Sequence, residues 1–388
     1  MSLSITQTPA LVSLAQSPII FTVAESDANL LTSSSFQYIG NLYYWQGGLN
    51  ASSSTAEYTI NKYPNNSNVG IFDLNRIINS TLTDFAIANT SNVQYYAVEF
   101  YTQYLSGSTF VTGSHVRSQT FKALDGYGIF QEPIGQNITS ASAFWPLMTD
   151  GPATQSAFID NYGSASVYVG TDGGTLQPNK IVYTSDLATA NLTISGNTSS
   201  SAQTAQYPIG PSAAGFPLSG SFTYFKTQAF NNSTPLGGAI TYTIDCIQKY
   251  PNVRIKWKNR YGQFDWFNFY MVNKQSFETE KRTYQPQLGS WESSTLSYQN
   301  YDSGILNYVA DSKQSISVNT FWIPEDYNEL FKQLLVSDEI YWIYNEAAGL
   351  VRPLTIATSD ILFKTGVVDK LIQYQFDFNF GQAYKLIL

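Results

Sequence analysis

The tightest constraint on the fold is a two-residue rhythm. Near the C-terminus Ile372, Tyr374, Phe376, Phe378 and Phe380 alternate with Gln373, Gln375, Asp377 and Asn379. Successive side chains of a strand point to opposite faces, so this segment is expected to have one buried and one wet face. Shorter stretches of the same rhythm recur along the chain. Aromatic residues reach 15% and charged residues only 12%, a composition that suits pleated sheets better than helices. The expected fold class is mainly β.

At 388 residues the chain has room for two or three domains of ~100 to 200 residues each. Residues 1–125 read as a β-sandwich, with strands expected at 19–23, 36–45, 58–62, 93–104 and 116–122 between Ser, Gly and Asn turns. Asp73 is placed to cap a short helix there, because Leu74, Ile77, Ile78 and Leu82 recur at helical spacing, with Arg76 on the solvent side. Residues 126–248 are turn-rich and read as a second β-rich domain or an insertion with long loops. Strands are expected in it at 166–169, 180–184, 190–194, 222–230 and 240–247.

Residues 249–388 read as an α+β domain, a sheet with one helix at 324–337. Pro324 suits the first helical position, and Glu325 and Asp326 favour the positive end of the helix dipole. Tyr327, Leu330, Phe331, Leu334 and Leu335 form one apolar stripe. Strands are expected at 277–284, 316–322, 340–344, 354–356, 361–364 and 372–380.

This last domain opens on the hairpin 249–277. Its first arm carries Lys249, Arg254, Lys256, Lys258 and Arg260, the last four alternating with Val253, Ile255 and Trp257. The spacing predicts a strand with a wet basic face, either simply solvated or a contact surface for an acidic neighbour. The turn falls at Tyr261-Gly262-Gln263. The second arm, with Phe264, Trp266, Phe267, Phe269 and Tyr270, is apolar on both faces and is expected deep inside a sheet.

Several chemistries lack their residues. Cys246 is the only cysteine and His115 the only histidine, which excludes an internal disulfide, all but excludes a Cys/His zinc site, and does not allow both a catalytic triad and a metal site. Cys246 reads as a small strand residue and His115 as a surface residue. No phosphate loop or nucleophile elbow occurs. Glu278 and Glu280 share a strand face, but Lys281 and Arg282 adjoin them, so surface charge pairing is the expected use. Asp160 and Asp172 lie where turns explain them. Tyr43, Tyr44, Trp45, Tyr95, Tyr96, Tyr101 and Tyr104 are weighed as a sugar-binding platform and assigned to a core or subunit contact. Neither a cofactor nor a metal is expected. With a net charge of −8 and no recognition motif, nucleic-acid sequence recognition is not expected. The N-terminus lacks the basic flank and apolar core of a signal peptide, and no run approaches the ~18 apolar residues of a membrane span, so a soluble product is expected.

One stretch carries a resemblance. Trp257-Lys258-Asn259-Arg260-Tyr261-Gly262, followed by Asp265-Trp266-Phe267-Asn268-Phe269, resembles a signature of tail-associated virion proteins of tailed bacteriophages. The match continues through Ser276 and 281–284 to 370–374, about the last third of the chain. The resemblance implies a tail-tube-like C-terminal domain and a non-enzymatic structural protein of the virion tail. It also implies copies assembled in a ring at the tail hub or baseplate, in contact with other tail or fibre proteins. On that reading Arg254, Lys256, Trp257, Lys258 and Arg260 face a neighbouring subunit, and Asn259, Gly262, Asp265, Trp266, Phe267 and Phe269 build the motif itself. A carbohydrate-binding adhesin and a capsid decoration or head-fibre protein are the alternatives.

Overall fold

The computed structural model describes residues 3–46, 53–82, 93–128, 145–170, 178–194, 203–245, 250–287, 289, 292, 294–345, 347–363, 372–381 and 385–387. The described residues form 24 β-strands and three α-helices, a mainly β protein. They divide into two compact units, one of residues 1–246 with 258–265, the other of residues 247–257 with 266–388.

The first unit begins with β1 (Ser4–Gln7), β2 (Val12–Leu14), β3 (Ile20–Ala24), α1 (Ala28–Leu31), β4 (Gln37–Trp45), β5 (Tyr58–Lys62) and β6 (Val69–Asp73). Then come α2 (Asn75–Thr81), β7 (Val93–Ser106), β8 (Thr109–Arg117) and β9 (Phe121–Leu124). A three-stranded sheet in the order β1-β3-β6 lies over one face of a six-stranded sheet in the order β2-β9-β7-β4-β5, with β8 paired to β7. Phe21, Val23 and Phe72 from the small sheet meet Tyr38, Leu42, Tyr96, Val98, Phe100 and Phe121 from the large one. These are alternate residues, as the pleat requires. Burying each large apolar side chain contributes about 1.5 to 3 kcal/mol, which is why the alternation fixes the register. The opposite face of the large sheet, through Tyr43, Trp45, Tyr95 and Leu124, builds a second cluster with Met148, Tyr168 and Tyr261.

The rest of the unit supplies β10 (Thr154–Ala157), β11 (Ser164–Val169), β12 (Lys180–Ser185), β13 (Thr189–Thr193), β14 (Gln203–Pro208), β15 (Tyr224–Asn231) and β16 (Thr234–Ile244). A five-stranded sheet runs β10-β16-β15-β12-β13, and β11 pairs with β14. Asp73 sits one residue before the N-cap of α2, where its carboxylate accepts from the backbone N–H groups of Asn75 and Ile19. Arg76 is exposed. The strand expected at 116–122 is two strands, because the chain leaves β7 at Ser118 and rejoins it at Phe121. The strand expected at 240–247 starts six residues earlier and ends at Ile244; Cys246 and Lys249 lie outside the described residues, as does Asp172.

The second unit holds an eight-stranded sheet made of β17 (Val253–Lys258), β18 (Phe264–Phe269), β19 (Lys274–Tyr284), β20 (Leu306–Asn319), β21 (Ile340–Asn345), β22 (Leu350–Ile356), β23 (Gln375–Phe380) and β24 (Lys385–Ile387). The order is β18-β17-β21-β22-β23-β20-β19, with β24 on β20. A single 3-10 turn at Glu325–Tyr327 leads into α3 (Asn328–Val336), whose Leu330, Phe331 and Leu334 pack on Trp257, Phe267, Ile316, Phe376 and Phe378. The stripe is the expected one, but its first turn is 3-10 because Pro324 is extended and caps from outside the helix. Two expectations fail here. Trp322 is exposed beyond the end of β20, and 361–363 carry no strand, with Lys364 outside the described residues. No described helix is long and apolar enough to cross a membrane.

Candidate functional site

Residues 258–265, the turn of the signature, form a plug held by other residues of the first unit. Asn259 closes the turn with its side chain: Oδ1 accepts from the N–H groups of Tyr261 and Gln263, both at 3.0 Å. The Asn259 N–H donates to the Gln263 carbonyl at 2.6 Å, and the Gly262 N–H donates to Asn259 at 3.0 Å. Gly262 has φ +70°, and a Cβ there would run into the Asp125 carbonyl, so glycine is required twice over. The Asn259 amide also donates to the Met148 carbonyl at 2.8 Å and to Asp265 Oδ2 at 3.0 Å. Every hydrogen-bonding position of this 1% exposed side chain is filled.

The cations of the tip meet carboxylates of the same unit. Lys258 Nζ lies 2.8 Å from Asp125 Oδ2, and Gln16 donates to the other oxygen at 3.3 Å. Arg260 grips Asp150 through Nε and, at 3.3 Å, through Nη2. The Tyr261 hydroxyl accepts from Arg260 Nη2 and donates to Asp150 Oδ1, both at 2.8 Å. Each carboxylate stands in an Asp-Gly pair, Asp125-Gly126 and Asp150-Gly151. That pairing reads as a turn and hides the ionic role.

Asp265 is the acid of the cluster. Burial pushes its carboxyl up to about 7, against hydrogen bonds from Asn259 and Thr149 that pull it down, and the Asp150 charge adds to the rise. The Tyr207 and Tyr242 phenols are raised, burial being the first cause and the Asp265 charge a further one. Burial likewise raises the Tyr261 phenol.

In the second unit the basic arm is not wet. Arg254 is 2% exposed and its guanidinium stacks 3.9 Å from the centre of the Trp266 ring. Lys256 is partly buried, and burial first and Arg254 second bring its ammonium down to about 8. Val253, Ile255 and Trp257 fill the core as expected. The expected wet basic face is therefore corrected: the residues of β17 are buried or half-buried, and Lys258 and Arg260 pair with Asp125 and Asp150 of this chain. The second arm is corrected too. β18 is the terminal strand of its sheet, not a central one. Its Phe267 is buried by ring contacts with Phe321, Tyr327 and Phe331, at centroid distances of 5.1 to 5.6 Å. Phe269 is wholly buried.

Two exposed features remain. The first is the ribbon β19–β20. All eleven residues of β19 are exposed, as are Leu306, Asn307 and Tyr308 at the outer end of β20. Phe277, Tyr284, Leu306 and Tyr308 lie on it, with Tyr298, Tyr301 and Ile305 in its connecting loop. Glu278 stands opposite Lys313 and Arg282 reaches Glu280 at 3.9 Å, whereas Glu280 stands opposite another carboxylate, Asp311. The second is a polar row across the six-stranded sheet. Thr59, Asn41, Glu99 and Arg117 occupy one register line over β5, β4, β7 and β8. Tyr43 donates to Glu99 at 3.0 Å, and His115, 3.6 Å from Glu99, stacks on Tyr101. Tyr43, Trp45, Tyr95 and Tyr96 are buried, so only part of the aromatic set reaches the surface.

Among the described residues no three His, Cys, Asp or Glu side chains are grouped to hold a metal ion. Asp265 is half-buried, and the exposed groups sit on a ribbon and a sheet face. Comparison with protein-family models and with curated proteins finds no match to this chain.

Proposed function

We propose that this chain is a non-enzymatic structural subunit of a tailed-phage virion, assembling with copies of itself in a ring of the tail hub or baseplate region and contacting other tail or fibre proteins. The observation that carries the reading is the β19–β20 ribbon. Its outer strand β19 is exposed at all eleven positions, and the apolar side chains along the ribbon gain by being covered. The resemblance over Trp257 to Phe269 supplies the tail setting. The residues proposed to meet neighbours move from the basic arm to the ribbon, because the arm is engaged inside its own chain. Mass photometry and negative-stain imaging of the purified protein test the reading, with labelled-particle electron microscopy placing it on tail or head. Closed rings and tail labelling are expected; a protein that stays monomeric at every concentration and is absent from virions overturns it.

A carbohydrate-binding adhesin is the second reading. It is favoured by the Thr59–Asn41–Glu99–Arg117 row beside Tyr101, since planar polar groups next to a ring suit sugar hydroxyls and ring faces. A glycan array with wild type and Arg117→Ala separates the two, saturable binding lost in the variant favouring the adhesin.

A further inference from the structure

At the hairpin of β21 and β22 the core face of the eight-stranded sheet runs on past full burial. Ile340 and Leu354 stand opposite each other and are buried in the core, and two residues further along each strand Trp342 stands opposite Arg352. Alternate residues of a strand share a face, so Trp342 and Arg352 continue that face outward. Trp342 is half-buried, its ring 5.6 Å from that of Phe380, and Arg352 is exposed. Beyond them the register slips between Ile343 and Asn345, which leaves Tyr344 as the extra residue of a bulge. Bulges re-aim side chains, and here the Tyr344 ring ends 4.7 Å from the guanidinium carbon of Arg352 and 6.4 Å from the Trp342 ring. The same guanidinium lies 5.7 Å from Trp342.

The other described arginines that lie against rings are engaged elsewhere. Arg254 is buried, Arg260 grips Asp150, and Arg117, over the Tyr43 ring, stands directly opposite Glu99. Arg352 is exposed, and no described carboxylate pairs with it. Ring contact engages the flat face of a guanidinium and leaves its N–H edge for acceptors. It also holds the side chain still, so less rotamer freedom remains to be lost when a ligand arrives. Such a fork fits a carboxylate, taken by two parallel hydrogen bonds. Tyr344 and Leu350, the latter two residues before Arg352 on the same face, are 43% and 44% exposed and offer apolar surface to the C–H face of a sugar ring. A neutral sugar leaves the guanidinium charge unanswered. A phosphodiester chain is held by rows of cations, whereas here the rings hold one cation on a chain of net charge −8.

We propose that Tyr344, Arg352 and Trp342 form a binding site for the carboxylate-bearing sugar units of an acidic polysaccharide, with the carboxylate on the Arg352 fork and the sugar ring on Tyr344. The site belongs to the second unit and uses neither the Arg117 row nor the ribbon, so it holds or fails apart from both readings above.

Isothermal titration of the full chain with oligomers of galacturonic, glucuronic and sialic acid, each beside its methyl ester, tests the site. The ester keeps the sugar rings and removes only the charge. At least one acid oligomer is expected to bind saturably, and its ester about tenfold more weakly or worse, as the loss of a charge-assisted contact requires. Arg352→Lys keeps the charge without the fork and is expected to weaken binding about as much. Poly-glutamate, a carboxylate chain without sugar rings, is expected to bind more weakly than the oligosaccharide, and Tyr344→Ala to weaken the oligosaccharide. Both substituted side chains are exposed, so circular dichroism is expected to match wild type. No binding by any of the three acids, equal binding of an ester, wild-type affinity in Arg352→Lys, or a preference for poly-glutamate, the mark of an acidic protein partner, overturns the proposal.

Discussion

Replacing Asp265 with asparagine isolates the energetic consequence of drawing a carboxyl partly out of water beside the hairpin turn. The folded protein holds the Asp265 proton up to about pH 7, whereas the unfolded chain releases it near 3.8. Below pH ~4 both states are protonated and the residue is neutral to stability. Between pH ~4 and ~7 the folded state binds more protons than the unfolded one, so stability falls as pH rises, by about 1.4 kcal/mol per unit. The accumulated cost is about 4 kcal/mol at pH 8. Asparagine has nearly the same shape, accepts the Asn259 amide through its own oxygen, and does not titrate. Urea unfolding of both proteins, followed by far-ultraviolet circular dichroism from pH 4 to pH 8, gives the difference directly and cancels every other titrating group. The Asp265→Asn variant is expected to gain on wild type steadily with pH, by about 4 kcal/mol over the range. A difference that stays flat across that range refutes the reasoning.

Two further outcomes follow from the same geometry. Asp125→Ala leaves the Lys258 ammonium buried without its carboxylate, and thermal melts are expected to show a loss of about 3 to 5 kcal/mol. Lys256→Met removes an ammonium that burial and Arg254 hold down to about 8. Below pH 8 lysine is charged in both states and the folded one bears the cost; between 8 and 10.5 the unfolded state binds more protons, and the cost disappears with rising pH. Melts are expected to show the methionine variant ahead at pH 7 and level with wild type above about pH 10.5.

The alternating strands were legible because alternation is imposed locally by the pleat. Residues 58–62 form β5 with the expected bounds, and Phe376 and Phe378 point inward as their spacing requires. Short strands such as β10 and β14, Thr154–Ala157 and Gln203–Pro208, escaped because polar residues fill them and only pairing with distant strands makes them extended. The basic arm misled for a related reason. Charge at every second position marks a wet face only when no counter-charge lies inside, and Arg260 finds Asp150 at a sequence separation of 110. No periodicity carries that information, and an Asp-Gly pair advertises a turn instead. Asn259 and Gly262 were visible as motif residues, while the hydrogen bonds that make them necessary were not.

The division of the chain at Cys246 has a consequence for how the protein is made. The first unit is not finished when residue 246 has been synthesised, because its own inventory includes 258–265. Until that octet emerges, Asp125 and Asp150 lack their cations and the Met148 carbonyl lacks the Asn259 amide. A nascent chain halted at 246, or a fragment cut there, thus carries a cradle with nothing in it, and the latch that completes the N-terminal body arrives from beyond its apparent end.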